Sequence, residues 1–215
     1  MCGRFTLTTT NEELMHRFEL ETKVNYPNRW NIAPSQTSLT VICDNSHNFC
    51  LKSQDKFGFW QSGLKKTIIN ARSETIKQKP LFREAFKNSR CLVLASGWFE
   101  WDANKTPYYV SLKDNRVMAF AGLRLKGKSG YSFVIITASA IGALAKLHNR
   151  TPVPLKSKFW ADWLANAQDV PKAHLSPPES HFFKWHVVSS KVGDVVNDNA
   201  NLIQPVSDPR SNLLI

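Results

Sequence analysis

The second residue of the chain is a cysteine that directly follows the initiator methionine, in Met1-Cys2-Gly3-Arg4-Phe5. Removal of Met1 would leave Cys2 with an α-amine and a thiol on neighbouring carbons, a 1,2-aminothiol. In model peptides the amine titrates near ~8 and the thiol near ~8.5, so both are partly nucleophilic at neutral pH. Such a group captures an aldehyde as an imine and then closes a five-membered thiazolidine. The thiol could instead attack an amide carbonyl, as in N-terminal nucleophile hydrolases, or Cys2 could be an ordinary cysteine.

A carboxylate lies between aromatic residues in the segment Ser96-Gly97-Trp98-Phe99-Glu100-Trp101. If these neighbours bury Glu100, its pKa rises, because burial disfavours the charged form. A carboxyl group with a raised pKa can donate a proton near neutral pH, as a general acid does. Alternatively, Glu100 is an ordinary acidic residue on the face of a strand.

Polar residues also follow two other apolar runs. Asn70 and Arg72 come directly after a short apolar strand, and His148 and Arg150 come after a predicted helix. Taken one at a time, Asn70 could satisfy a turn and His148 could be a helix-terminal residue favoured by the helix dipole. Each arginine, Arg4 included, could form a surface ion pair. Together with Cys2 and a general acid, these residue types predict one active site with arginines suited to phosphate.

The chain is strongly basic, with 28 Lys and Arg against 17 Asp and Glu and a formal net charge of +11. The positive residues are spread along the 215 residues rather than gathered in a tail. This distribution predicts a basic surface on a folded domain, which favours a polyanion such as nucleic acid. Many basic proteins bind no particular partner, however, so charge alone does not identify one.

No apolar run is long enough to span a membrane, and the N-terminus lacks the pattern of a signal peptide. The sequence therefore predicts a cytoplasmic protein, not a secreted or membrane protein. None of the four cysteines forms a CxxC pair or has a histidine at zinc-ligand spacing, so no metal, no cofactor and reduced thiols are expected. A monomer is expected.

The elements that position these residues are mainly strands. A helix capped by Asn11 is predicted over 11–20, a hairpin over 38–43 and 48–53, and helices over 81–87, 140–147 and 156–167. Strands are predicted over 57–60, 67–71, 91–95, 99–102, 107–112, 117–125, 131–139 and 186–190, the middle ones as an antiparallel meander. Strands and helices do not alternate, which disfavours a doubly wound parallel sheet. We therefore predict a single α+β domain over 1–215, with a curved, barrel-like, mainly antiparallel sheet and flanking helices.

Five ordered motifs in this chain resemble those of the SRAP (SOS response-associated peptidase) family. They are M-C-G-R-F at 1–5, W-N-I-A-P at 30–34, I-N-A-R-S-E-T at 69–75, a segment ending in G-W-F-E-W at 90–101, and H-N-R-T-P at 148–152. The resemblance extends to about residue 206. It implies an enzyme of the DNA damage (SOS) response that binds single-stranded DNA and captures abasic sites as a covalent thiazolidine crosslink. It also implies an AP-lyase side activity and autoproteolytic removal of Met1.

The resemblance further implies a role for each site residue. Cys2 forms the Schiff base and the thiazolidine, while Asn70 holds the N-terminal residue or the sugar. Glu100 transfers protons, and His148 assists opening of the sugar ring. The residues that would contact DNA are Arg4, Arg72, Arg150, Asn31, Pro34, Trp60 and Trp98. The chain departs from the family pattern after Trp60, where the loop is shorter and lacks a second tryptophan. The resemblance therefore does not predict whether this chain recognises single-strand/duplex junctions.

Two other functions fit parts of the sequence. Class II glutamine amidotransferase domains also begin Met-Cys-Gly, but they require a glutamine pocket rather than phosphate-binding arginines. A non-catalytic reader of single-stranded or modified DNA would explain the charge and the seven tryptophans, with Cys2 incidental. A covalent adduct with an abasic oligonucleotide separates the predicted function from both.

Overall fold

The computed structural model describes residues 2–20, 24–43, 49–128, 130–165 and 170–207. In these ranges the strands are β1 Arg4–Leu7, β2 Arg29–Ile32, β3 Thr37–Cys43, β4 Phe49–Phe57, β5 Phe59–Gln61, β6 Lys66–Ile68, β7 Asn70–Arg72, β8 Arg90–Ala95, β9 Gly97–Trp101, β10 Pro107–Leu112, β11 Met118–Gly127, β12 Gly130–Ser139, β13 Arg150–Pro152 and β14 Phe183–Val187. The α-helices are α1 Asn11–Arg17, α2 Pro80–Asn88 and α3 Trp160–Leu164. Short 3₁₀ helices cover Ser62–Leu64, Gly142–Lys146, Ser157–Phe159, Lys172–Leu175, Ser180–Phe182, Ser190–Gly193 and Ala200–Ile203.

Five strands close into a barrel in the order β11–β8–β3–β4–β12, and β12 returns to pair with β11. All of these pairs are antiparallel except β4 with β12. The edges of β12 also carry β7, in parallel, and β13, in antiparallel orientation. The predicted α+β fold with a barrel-like, mainly antiparallel sheet is therefore confirmed, as is the hairpin of β3 and β4; its predicted turn at 44–47 lies outside the described residues.

A second, five-stranded antiparallel sheet in the order β14–β10–β9–β1–β2 packs against the barrel. Its residues Phe5 and Trp98 are directly opposite each other on β1 and β9. Phe5 contacts Phe57 edge-on with ring centroids 5.4 Å apart, and Trp98 contacts Phe120 in the same way at 5.9 Å. The predicted meander is therefore wrong at two points, since β8, β11 and β12 belong to the barrel while β9 and β10 belong to this sheet.

The helices differ in detail from the prediction. Thr10, not Asn11, caps α1, because its Oγ1 accepts a hydrogen bond from the backbone N–H of Glu13 at 3.1 Å. The Asn11 side chain accepts instead from the backbone N–H of Tyr26, and the helix ends at Arg17 rather than at residue 20. Helix α2 covers its predicted range. The helix predicted over 140–147 is the 3₁₀ helix Gly142–Lys146, and the one predicted over 156–167 is a 3₁₀ turn followed by α3, with residues 166 and 167 outside the described ranges. No helix in the described ranges is long and apolar enough to cross a membrane.

Two predicted strands are each interrupted by one residue, and this decides where Asn70 lies. Gly58 separates β4 from β5 with φ of +95°, and a Cβ there would lie 2.6 Å from the Cγ2 of Thr67. Ile69 separates β6 from β7, and its carbonyl accepts a hydrogen bond from the backbone N–H of Ile135 at 3.0 Å. As a result β7 leaves the β5–β6 hairpin and joins β12, with Asn70 opposite Ile135.

Candidate active site

Cys2 lies just before β1, completely buried, and Asn70 holds its backbone. The Nδ2 of Asn70 donates to the carbonyl oxygen of Cys2 at 3.1 Å and to that of Ile135 at 3.3 Å. The Oδ1 of Asn70 is buried and has no hydrogen-bond partner among the residues described. Buried polar atoms are usually paired, so this acceptor is suited to a donor brought by a ligand or by a free α-amine.

Glu100 lies on β9, which pairs with β1 so that Phe99 is opposite Arg4. Side chains alternate along a strand, so Glu100 shares with Trp98 the face that packs against the barrel. Only 4% of Glu100 is exposed, and this burial raises the pKa of its carboxyl, although the nearby His148 acts in the opposite direction. Glu100 therefore has the property of a general acid that the sequence predicted.

His148 lies between a short 3₁₀ helix and β13. Its Nδ1 accepts a hydrogen bond from the backbone N–H of Arg150 at 2.9 Å. A neutral imidazole that accepts at Nδ1 carries its proton on Nε2. The preceding helix is the five-residue 3₁₀ segment Gly142–Lys146, which leaves little helix dipole to account for a histidine at this position.

The four predicted catalytic residues thus come from separate parts of the chain and meet where the two sheets join. Asn70 binds Cys2 directly, and Glu100 interacts electrostatically with both Cys2 and His148. Burial is the main cause that raises the pKa of the Cys2 thiol, and the charge of Glu100 raises it further. The thiol is therefore protonated in the folded protein, unlike the thiolate of an activated cysteine nucleophile.

Of the three arginines predicted to bind phosphate, Arg72 is the most available. It is exposed, and its guanidinium makes no hydrogen bond or ion pair within the described part of the chain. Arg150 forms a bidentate ion pair with Glu74, with nitrogen–oxygen distances of 2.7 and 3.0 Å, and its side chain is only 13% exposed. Arg4 donates to the carbonyls of Val192 at 2.6 Å and Gly193 at 2.9 Å.

Asn31 is fully buried, which corrects its prediction as a residue that contacts DNA. Its Oδ1 accepts from Arg4 at 2.9 Å, and its Nδ2 donates to the carbonyls of Val192, Asp194 and Asn197 at 3.2, 3.0 and 2.8 Å. Every polar atom of the Asn31 side chain is therefore hydrogen-bonded, and these bonds hold residues 192–197 against β1. Asn31 has a structural role beside the site.

Trp98 is only 1% exposed, and its ring contacts Phe120 and Phe183 at centroid distances of 5.9 and 5.4 Å. It therefore belongs to the core and offers no face to a base, which corrects the second DNA-contact prediction. Trp60 on β5 is 57% exposed and can stack on a base. Pro34 is half-buried.

Glu74 is a site residue that the sequence analysis did not select. Strand β7 ends at Arg72, and Glu74 lies in the turn that follows it. The signal in the sequence that could have grouped Glu74 with Asn70 and Arg72 is that all three belong to the motif I-N-A-R-S-E-T at 69–75. Around these residues, as elsewhere in the described ranges, no group of three or more His, Cys, Asp or Glu could hold a metal ion.

The chain is similar over most of its length to several known proteins. The abasic site processing protein YoqW of Bacillus subtilis (strain 168) is 31% identical over 229 residues, covering 95% of this chain and 99% of that protein. The abasic site processing protein YedK of Escherichia coli (strain K12) is 29% identical, covering 96% and 100%. A crystal structure of a protein from Bacteroides thetaiotaomicron has the same fold, with a TM-score of 0.78 and 22% identity over 95% of this chain and 100% of that chain. Residues 1–195 match the family model described as SOS response associated peptidase (SRAP), and the chain belongs to that family.

Proposed function

We propose that this protein captures abasic sites in single-stranded DNA as a covalent thiazolidine on Cys2, after removal of Met1. The names of its relatives supply the substrate class. The observation that carries the proposal is the hydrogen bond from Asn70 to the Cys2 carbonyl, which holds this residue beside Glu100 and His148. An abasic site that has ring-opened exposes the aldehyde that a 1,2-aminothiol captures.

The reaction proceeds without oxidation or reduction. The Cys2 amine adds to the aldehyde carbon, and the resulting carbinolamine loses water to give an imine. The thiol then adds across the C=N bond, so that a C–S bond forms and the nitrogen gains a proton. Glu100 donates a proton to the departing hydroxyl and accepts one from the thiol, which a carboxyl group of raised pKa can do near neutral pH.

The protonated thiol favours this order of steps. A hydrolase with an N-terminal nucleophile uses the adjacent α-amine as the general base that removes the proton of the thiol. Here burial and the neighbouring Glu100 disfavour the thiolate of Cys2. The amine therefore reacts first, and the thiol loses its proton only as the imine is trapped.

His148 assists the step before capture. With Nδ1 occupied by the Arg150 backbone, its Nε2–H can donate a hydrogen bond to the ring oxygen and so stabilise the negative charge that develops there as the sugar ring opens, while the imidazole stays neutral. If the imine forms and the thiol does not close the ring, β-elimination would cut the strand. This accounts for a lyase side activity. Autoproteolytic removal of Met1 would be the peptidase activity.

Arg72 makes the first contact with the DNA backbone, because Arg4 and Arg150 would have to give up existing partners to reach a phosphate. The formal net charge of +11 makes the binding strongly dependent on salt and largely independent of sequence. Trp60 stacks on a neighbouring base. An abasic nucleotide has no base to unstack, which avoids a cost of a few kcal/mol.

Denaturing electrophoresis with an abasic single-stranded oligonucleotide tests the proposal, and intact mass reports whether Met1 has been removed. We expect a shifted band with the wild-type chain and none with Cys2→Ala. Glutaminase activity without a band would identify the amidotransferase alternative. Salt-reversible binding alone would identify a non-catalytic DNA reader.

A further inference from the structure

We infer that Glu74 is a positioning residue: by holding Arg150 across β12, it keeps the backbone N–H of Arg150 on Nδ1 of His148. The inference rests on the proposed function, because it concerns the imidazole that assists opening of the sugar ring. Glu74 touches none of the reacting atoms and acts through Arg150.

The ion pair between Glu74 and Arg150 crosses a strand. On β12, Thr137 pairs with Arg72 of β7 at one edge and with Pro152 of β13 at the other. Glu74 follows β7, while Arg150 begins β13. The two bonds between them, of 2.7 and 3.0 Å, therefore tie together the segments on both edges of β12.

Residues of β12, the strand between Glu74 and Arg150, form further hydrogen bonds with this ion pair. The Ser139 hydroxyl and backbone N–H both donate to Glu74 at 3.2 Å. Arg150 also donates to the carbonyl and the hydroxyl of Thr137. Hydrogen bonding by Arg150 lowers the pKa of Glu74 to about 2, so the carboxylate is charged at neutral pH. Bidentate geometry with several supporting bonds gives orientation as well as energy.

Each end of this pair lies close in sequence to a proposed catalytic residue. Asn70 is four residues before Glu74, and His148 is two residues before Arg150. The hydrogen bond of 2.9 Å from the Arg150 backbone selects the tautomer of His148 with the proton on Nε2. Without Glu74, the Arg150 backbone is less restrained, and His148 can populate both tautomers.

The opposite role for Glu74 is competition: its carboxylate would occupy Arg150 until a DNA phosphate replaces it. The two roles predict opposite effects of Glu74→Gln. Loss of a positioning residue slows adduct formation, whereas loss of a competitor strengthens DNA binding and speeds adduct formation.

The test combines ¹⁵N NMR of the His148 imidazole in the full chain without DNA with adduct rates on an abasic oligonucleotide. We expect one tautomer in the wild type, tautomer averaging in Glu74→Gln, and an adduct rate that falls roughly 10-fold, by analogy with the groups that orient metal-binding imidazoles. The control is Asp114→Asn, which removes a carboxylate that is paired with Arg116 and has the same side-chain exposure of 46%. It should change neither measurement.

Unchanged His148 resonances in a folded Glu74→Gln variant, or a faster adduct rate, would overturn the inference. If Glu74→Gln does not fold, Ser139→Ala removes two supporting bonds without a change of charge, and we expect smaller shifts of the same resonances. Unchanged resonances there would also overturn it. A wild-type chain that forms no adduct contradicts the proposed function, while the NMR comparison still tests the role of Glu74.

Discussion

Among the residues whose side chains are described, Cys2 and Cys91 are completely buried, and each lies near a carboxylate: Cys2 near Glu100 and Cys91 near Asp55. Burial raises the pKa of both thiols, and the neighbouring carboxylate raises each further. By accessibility and acidity the two thiols are alike. Neither property can therefore account for a reactive cysteine at one position and not at the other.

The two carboxylates differ in their partners. Asp55 accepts two hydrogen bonds from Arg124, at 2.6 and 3.1 Å, and one from Thr40 at 2.7 Å. Its charge is balanced and its position in the barrel is fixed, so the surroundings of Cys91 are structural.

Near Cys2, the carboxylate interacts with a titratable histidine, and the Oδ1 of Asn70 still has hydrogen-bonding capacity within the described ranges. The comparison shows that the groups around a thiol, rather than its burial, distinguish a site from a core.

Replacing Cys2 or Cys91 by serine should give the largest difference in adduct formation between the two regions. Cys2→Ser keeps the α-amine but lacks the thiol, so an imine forms that borohydride can trap, while the stable adduct is lost. Cys91→Ser buries a hydroxyl, which lowers the free energy of unfolding by about 1–3 kcal/mol and leaves the adduct intact. Denaturing electrophoresis with and without borohydride measures the trapped imine and the stable adduct of each variant. A stable adduct with Cys2→Ser would contradict the role of the thiol.

Replacement of each carboxylate by its amide should separate chemistry from stability. Glu100→Gln removes the proton donor and acceptor, so we expect adduct formation to slow by roughly 100- to 10,000-fold in single-turnover measurements. Asp114→Asn, an exposed control, should leave the rate unchanged. A normal rate for Glu100→Gln would exclude Glu100 as the proton-transfer residue.

Asp55→Asn leaves the Arg124 charge without its partner in a largely buried place. Breaking such a pair typically costs about 3–5 kcal/mol, which chemical denaturation measures. The adduct rate per folded molecule should not change. A loss of rate in the folded variant would show that the two regions are coupled.

The pH dependence of stability should differ between wild type and Glu100→Gln. The pKa of Glu100 in the folded protein is above its ordinary value of 4.5, so the folded state binds this proton more tightly than the unfolded state. Stability contributed by Glu100 therefore falls as pH rises from about 4.5 through the raised pKa. We expect the variant to match the wild type in acid and to exceed its stability at neutral pH, as followed by thermal unfolding. Equal stability at every pH would contradict a raised pKa.

The smallest effect is expected on non-covalent binding. Arg72→Ala removes one exposed cation opposite Thr137, so affinity for single-stranded DNA should fall and the slope of log K against log salt should decrease by about 0.7. Arg83→Ala, an exposed residue on α2, is the control. Equal salt slopes for the two variants would show that Arg72 does not contact a phosphate.

Much of the fold could be predicted from local patterns. The hairpin of β3 and β4, helix α2 and most strands follow from alternation and from turn residues, which act over a few positions. The transfer of the chain from β10 in one sheet to β11 in the other could not be predicted. Alternation shows which residues share a face, but it does not show which distant strand each edge will meet.

The chemistry of the candidate site could be predicted from residue types. These are a cysteine after Met1, a carboxylate among aromatic residues, and polar residues at the ends of apolar runs. These properties belong to single residues and their neighbours, so the linear order was sufficient to predict them. Whether a side chain faces the site, the solvent or the core depends on contacts between distant segments. Folding buried Asn31 under the 192–197 segment, placed Trp98 against Phe120, and joined Glu74 to Arg150 across β12. Those positions follow from the pairing of the two sheets, because packing, rather than residue type, determines which polar groups remain available to a ligand.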